Sequence, residues 1–254
     1  MRLCRLFFVP TKLATTDISM HILLYYALDM YIEIQINELM QLQNIQNEDE
    51  LASLLKSEPD IIDEIGANGE SLLMQLLYQQ QINLAKIVAS KKKKWSLFEA
   101  AASGQLKELI TILDKQPDLI NELAKDGFCA LSLACFFGHK EIANELVDRG
   151  ADVNLAANNA SKIFPIHAAT ASANLEIIRL LLSNGADINA AQHGGFRAIH
   201  SAASHGNLAM LKLLLHFHAD INVKTDEGIT PLRFAMDNEQ NECSLILRLY
   251  GAYI

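Results

Sequence analysis

The sequence predicts an all-α solenoid of stacked helix-turn-helix units joined by short hairpin-like loops. Three observations predict it. The segment 138–154 (GHKEIANELVDRGADVN) recurs as 173–189 (ANLEIIRLLLSNGADIN) and 206–222 (GNLAMLKLLLHFHADIN), and a fourth copy, EQNECSLILRLYGAYI, occupies 239–254. Ala130, Pro165, Ala198 and Pro231 hold the same place in successive copies, spaced by 35, 33 and 33 residues, and a steady period of this size marks repeat architectures. Within a copy, Ile177, Ile178, Leu180, Leu181 and Leu182 form an apolar stripe at helical spacing.

In chain order, residues 1–30 form an N-terminal segment to which no structure is assigned. The start is basic, but its apolar stretch stops at Pro10 and Lys12, too short for a secretory core. The next apolar run, 22–28, ends at Asp29, and no stretch approaches the ~18 apolar residues that span a bilayer. A soluble, cytoplasmic protein is expected. Met20 offers an alternative start, and the 19 residues before it carry no usable pattern.

Residues 31–94 read as degenerate repeats. The stretch 51–73 aligns with 109–131 at a constant offset of 58, which sets Pro59 on Pro117 and Gly69 on Gly127. The second half of a repeat therefore lies near 47–68, and its first helix is expected near 32–43. The segment 69–88 is a further weak copy whose tail is replaced by Lys91-Lys92-Lys93-Lys94. Residues 95–254 form the array proper. Trp95 begins a weak copy in which Ala100-Ala101 and Gly104 fall in register with Ala134-Cys135 and Gly138. About seven units result, four clear and three degenerate.

The unit beginning at Pro165 shows why these residues make this shape. Proline suits the first turn of a helix, where its missing N–H has no partner to lose. Ala168 and Ala169 let neighbouring helices approach closely. Gly185 ends the second helix by entering the left-handed conformation, and Asp187 and Asn189 suit the turn that follows. The 35-residue step reflects a two-residue insertion in the loop 155–162. One unit cannot bury both faces, so stability comes from stacking.

Composition agrees with this. Half of the 254 residues are apolar and 20% are charged, which is a folding composition. A net charge of −9 argues against bulk attraction to nucleic acid or an anionic membrane. The four cysteines, Cys4, Cys129, Cys135 and Cys243, form no CxxC pair and read as reduced thiols.

The pattern resembles the ankyrin repeat, with its Thr-Pro-Leu-His turn, Ala-Ala helix, Gly-His turn and Gly-Ala-Asp-Val-Asn tail. The resemblance implies a protein-binding scaffold with no enzyme activity, cofactor or metal. Such proteins work in eukaryotic signalling, or as effectors that intracellular bacteria deliver into host cells. The resemblance also implies that His167 and His200 orient their turns by hydrogen bonding. The neighbouring Thr is Phe164 in one copy and Arg197 in the other, and the His is Arg233 in the last repeat, so that pattern is incomplete. The histidines crowded between His193 and His218 have no acidic or Cys partner at zinc-ligand spacing. Cys135 takes a buried Ala position, where a thiol is inert.

Candidate partner-binding residues come from positions that the family leaves variable. Phe128, Ile163, Phe196 and Ile229 each follow the hairpin glycine position, and an apolar ladder of solvent-exposed tips is expected there. Phe136-Phe137, His205 and Asp237 lie before the turn between helices, and the two rings are candidate anchors on the concave side. Lys91–Lys94 is read as a solvated connector, with nuclear import or an acidic or phospholipid contact as alternatives. Two rival expectations remain. One is a small enzymatic or toxin-like region before residue 95 with the repeats as targeting arm. The other is self-association through Leu245, Ile246, Leu247, Leu249 and Tyr250 of the last repeat.

Overall fold

A computed structural model describes residues 47–57, 59–65 and 70–254. Segment 1–30, Met20, Cys4 and the helix expected near 32–43 lie outside these residues. Residues 47–254 form one compact unit. Its described residues contain helices and no strand, as the repeat pattern predicts. The first helices of the units are α2 (Leu72–Tyr78), α4 (Leu97–Ser103), α6 (Ala130–Phe136), α8 (Pro165–Ala171), α10 (Ala198–Ser204) and α12 (Pro231–Asp237). The second helices are α1 (Glu48–Ser57), α3 (Ile82–Lys91), α5 (Leu106–Lys115), α7 (Lys140–Asp148), α9 (Leu175–Ser183), α11 (Leu208–His216) and α13 (Asn241–Leu249).

Each first helix has only seven residues, a length that is unstable alone in water. Packing holds it. Ala100, Ala101, Ala134, Cys135, Ala169, Ala203 and Ala235 are fully buried, and their small side chains let successive first helices approach. Behind them the second helices contribute Leu109, Ile142, Leu146, Ile177, Ile178, Leu181, Leu211 and Leu247 to a core that runs from unit to unit.

The helix starts follow one rule with changing chemistry. Ser96 and Glu99 form a reciprocal capping box on α4. On α8 and α10 an imidazole replaces the Glu: Phe164 N–H donates to His167 Nδ1 at 3.2 Å, and Arg197 N–H donates to His200 Nδ1 at 3.1 Å. Each ring's Nε2–H then donates across to the next loop, to the Ala190 carbonyl at 3.0 Å and the Val223 carbonyl at 3.3 Å. The histidines therefore pin their turns as the resemblance implies, even without the family's Thr.

The turn between the two helices demands a left-handed residue. Gly104, Gly138 and Gly206 supply it in three units, but Gln80, Ala173 and Glu239 are held at φ of 54–59° in the others. His218, which replaces the tail glycine, is likewise held at 63°. Such conformations cost non-glycine residues about 1 kcal/mol, so the stacking of the units overrides the local preference.

A ladder of side chains ties the tails together. Asn121 Oδ1 accepts the N–H of Asp152 (2.8 Å), Asn154 that of Asp187 (2.8 Å), Asn189 that of Asp220 (3.0 Å) and Asn222 that of Tyr253 (3.1 Å). Asp63 does the same for Lys94 at 3.2 Å. Asp63 is the offset-58 counterpart of Asn121, and the isolated bridges Ile65–Ser71 and Leu123–Cys129 carry the same offset.

This register corrects the reading of the lysine run. Lys91, Lys93 and Lys94 are exposed, but the Lys92 side chain is only 2% exposed. Its Nζ lies 3.0 Å from Glu99 Oε1 and 3.5 Å from Asp63 Oδ1, and donates to the Ile62 carbonyl at 2.8 Å. The connector is too short to carry a hairpin over α4, so Lys92 fills the gap and brings its charge to two carboxylates. It is a buried strut, not a solvated connector.

Candidate functional site

The hairpins fold over the N-terminal ends of the first helices, and this decides where the candidate residues go. A cleft of about 360 Å³ opens on the first-helix face of α6, α8, α10 and α12. Its floor is made of small side chains, Ala168 and Ala171 on α8 and Ser201 and Ser204 on α10. One wall holds Tyr78, Phe128 and Phe136; the other holds Phe196 and Phe234. Aromatic walls over a floor of small residues form a concave apolar groove, the kind of surface that takes a large side chain from a ligand.

Of the expected site residues, Phe128, Phe136, Ile163, Phe196 and His205 line this groove. Phe136 is 47% exposed and Phe196 39%. The other three expected residues lie elsewhere. Phe137 turns away, packs 6.0 Å from Tyr78 and lines a separate cleft with Ile82 and His139. Asp237 is held in an ion pair with Arg233 at 2.8 Å, and Ile229 is half-buried outside the groove. The expected ladder of solvent-exposed tips is also corrected. Phe128, Ile163 and Ile229 are half-buried, and the first two line the groove instead of standing free in solvent.

Two groove residues escaped the sequence reading. Phe234 packs 5.5 Å from Phe196 and 5.6 Å from His200. Tyr78 donates its hydroxyl to Asp126 at 2.6 Å, and burial with this carboxylate neighbour pushes its pKa up. Tyr78 ends α2 as Phe136 ends α6, so the repeat register itself was the available signal.

His167 and His200 spend both ring nitrogens on backbone partners. Burial first of all drives each pKa down to about 4, with the Arg197 charge adding to it, so both rings are neutral at pH 7. Cys129 and Cys135 are buried and their pKa values are raised, which leaves inert thiols.

Family models fall on the same repeats. A family model described as ankyrin repeats (many copies) matches residues 166–215 and 199–243, and one described as ankyrin repeat matches 126–159. This is an ankyrin-repeat protein. BCL-6 corepressor-like protein 1 of Homo sapiens is 34% identical over 115 residues, which take in 45% of this chain and 6% of that protein. Ankyrin repeat and SAM domain-containing protein 6 of Rattus norvegicus is 33% identical over 98 residues, 39% of this chain and 11% of that protein. NAD-capped RNA hydrolase NUDT12 of Macaca fascicularis is 40% identical over 53 residues, 21% of this chain and 12% of that protein. The chain thus spans a small fraction of these relatives. Ankyrin repeats generally mediate protein–protein interaction. No helix among the described residues is long and apolar enough to cross a membrane.

Proposed function

We propose that this ankyrin array is a non-enzymatic scaffold that binds a partner protein in the groove on α6, α8, α10 and α12. The observation that carries the reading is that the exposed rings of Phe136 and Phe196 line one concave cleft together with Ala168, Ala171, Ser201 and Ser204. Large apolar rings held open over a concave surface are hot-spot chemistry. The described residues from 47 to 95 continue the repeat register, which favours the scaffold reading over a small enzymatic region there. The setting of an effector in a host-cell cytosol rests on the resemblance alone.

The structure sharpens the test. Phe136→Ser removes a half-exposed groove ring, whereas Phe137→Ser removes packing against Tyr78. Phe136→Ser is expected to reduce capture of the partner from a lysate at least tenfold, with the helical circular dichroism and melting temperature unchanged. Phe137→Ser is expected to lower the melting temperature instead. Undiminished capture by a folded Phe136→Ser chain would remove the groove from consideration.

A second reading is self-association through the outer face of α13. Leu245, Leu249 and Tyr250 are each more than half exposed there. A weight-average mass that stays at the monomer value across a concentration series in light scattering would exclude it.

A further inference from the structure

We infer that the groove takes an apolar segment of a partner protein that carries a carboxylate, and that this carboxylate pairs with Arg197. The inference rests on the reading of the groove as a protein-binding site and names the chemistry of its occupant.

Charge is the first ground. The chain has 30 acidic and 21 basic residues, yet none of the residues lining the groove is Asp or Glu. Arg197 is the one permanent cation among them, since His167 and His200 are held neutral. Arg197 has no ion pair among the described residues. The groove lining thus carries one fixed positive charge in a chain of net charge −9, and a complementary charge in a partner fixes its register there.

Geometry is the second. Arg197 stands at the start of α10, in the place of the family's Thr. Its Nε donates to the Asn189 carbonyl at 3.1 Å. Its Nη1 donates to the carbonyls of Gly195 (2.9 Å) and Lys224 (3.0 Å). These three acceptors come from two loops and hold the guanidinium in one orientation. The other amino group, Nη2, makes no hydrogen bond within the described protein. A guanidinium already fixed by its scaffold loses little freedom on binding. Its remaining N–H groups offer a carboxylate the short, charge-assisted hydrogen bonds that a neutral acceptor cannot match. Phe136, Phe196 and Phe234 line the same groove as Arg197 and receive the neighbouring apolar side chain.

The test uses a library of random peptides displayed on phage, panned on the whole chain and counter-selected on the Phe136→Ser chain so that groove binders survive. The expected clones set an Asp or Glu close to Leu or an aromatic residue. Changing that acid to its amide in a recovered peptide is expected to weaken binding to the wild type about tenfold or more, and to leave binding to Arg197→Met unchanged. Arg197→Met also unties two loops, so its circular dichroism and melting curve accompany the measurement. The acid-to-amide change is made on the peptide, so its result on the wild type does not depend on that variant. Groove binders without a shared acid, or an amide change that costs nothing, overturn the pairing and leave the groove reading intact. Recovery of no peptide sensitive to Phe136→Ser overturns the groove reading itself.

Discussion

Acidification from pH 7 to pH 4 is expected to destabilise the array by several kcal/mol, through His167 and His200. Both rings are buried, and burial lowers each pKa from the ordinary 6.5 to about 4 in the folded chain. The sign follows from proton counting. Between pH 6.5 and 4 the unfolded chain binds a proton at each ring that the folded chain refuses, so stability falls as the pH falls through that window. Above pH 6.5 both states are neutral there and the effect vanishes. A displacement of this size corresponds to at most ~3 kcal/mol per histidine, since one pKa unit is 1.36 kcal/mol. His139 has the same sign, because burial lowers its pKa too. Asp63, whose pKa is lowered by Lys92 and the backbone of Lys94 in excess of its desolvation, acts in a separate and more acid window. Urea unfolding followed by circular dichroism at pH 7, 5.5 and 4.5 should show the midpoint dropping at each step. His200→Gln should flatten the dependence by roughly half, being unable to take up the proton. Equal midpoints at pH 7 and 4.5 would show that the imidazoles are not held neutral by the fold.

The second large effect belongs to Lys92. Lys92→Ala removes the partner of a buried Glu99 and a donor from the Ile62 carbonyl, and breaking a buried pair on one side typically costs 3–5 kcal/mol. Glu99 keeps its capping-box contacts with Ser96, so about 3 kcal/mol is expected. Repeat arrays lose stability unit by unit. The loss should therefore show as faster amide hydrogen exchange in α1 to α4, with α7 to α13 protected as before. Lys91, Lys93 and Lys94 are exposed, and replacing all three by Ala should change stability by less than about 0.5 kcal/mol. Lys94 contributes its backbone N–H to the Asp63 contact, which alanine preserves. If Lys92→Ala melts like that triple variant, the strut reading fails. The contrast also separates a structural role from a nuclear-import role, for which the exposed lysines would matter instead.

The Lys92 effect arises at a departure from the repeat pattern, and so does Arg197. Each sits where a family position is filled by a residue of different chemistry. Where a Thr is replaced by Arg197, the loops are tied by a guanidinium. Where a hairpin is cut short, a lysine must fill the core and be neutralised. The strained φ angles at Gln80, Ala173, Glu239 and His218 show the same precedence, since the turn keeps its shape when its glycine is gone.

The sequence by itself determined the solenoid, the helix positions and the register. These follow from local periodicity, which repeats every 33 residues or so and needs no knowledge of distant contacts. Even the weak first unit was legible, because the offset of 58 set residues 51–73 on 109–131; that Asp63 and Asn121 make equivalent hydrogen bonds came only with the structure. Tertiary structure decided which side chains converge. Tyr78 and Phe234 lie 156 residues apart in sequence and line one groove only because the four units between theirs stack. Adjacent Phe136 and Phe137 part company because consecutive helical residues point about 100° apart, which a reading by position in the repeat cannot resolve. The burial of Lys92 needed the same information: a charge run looks solvated until the missing hairpin above it is seen to leave a gap that a long side chain must fill.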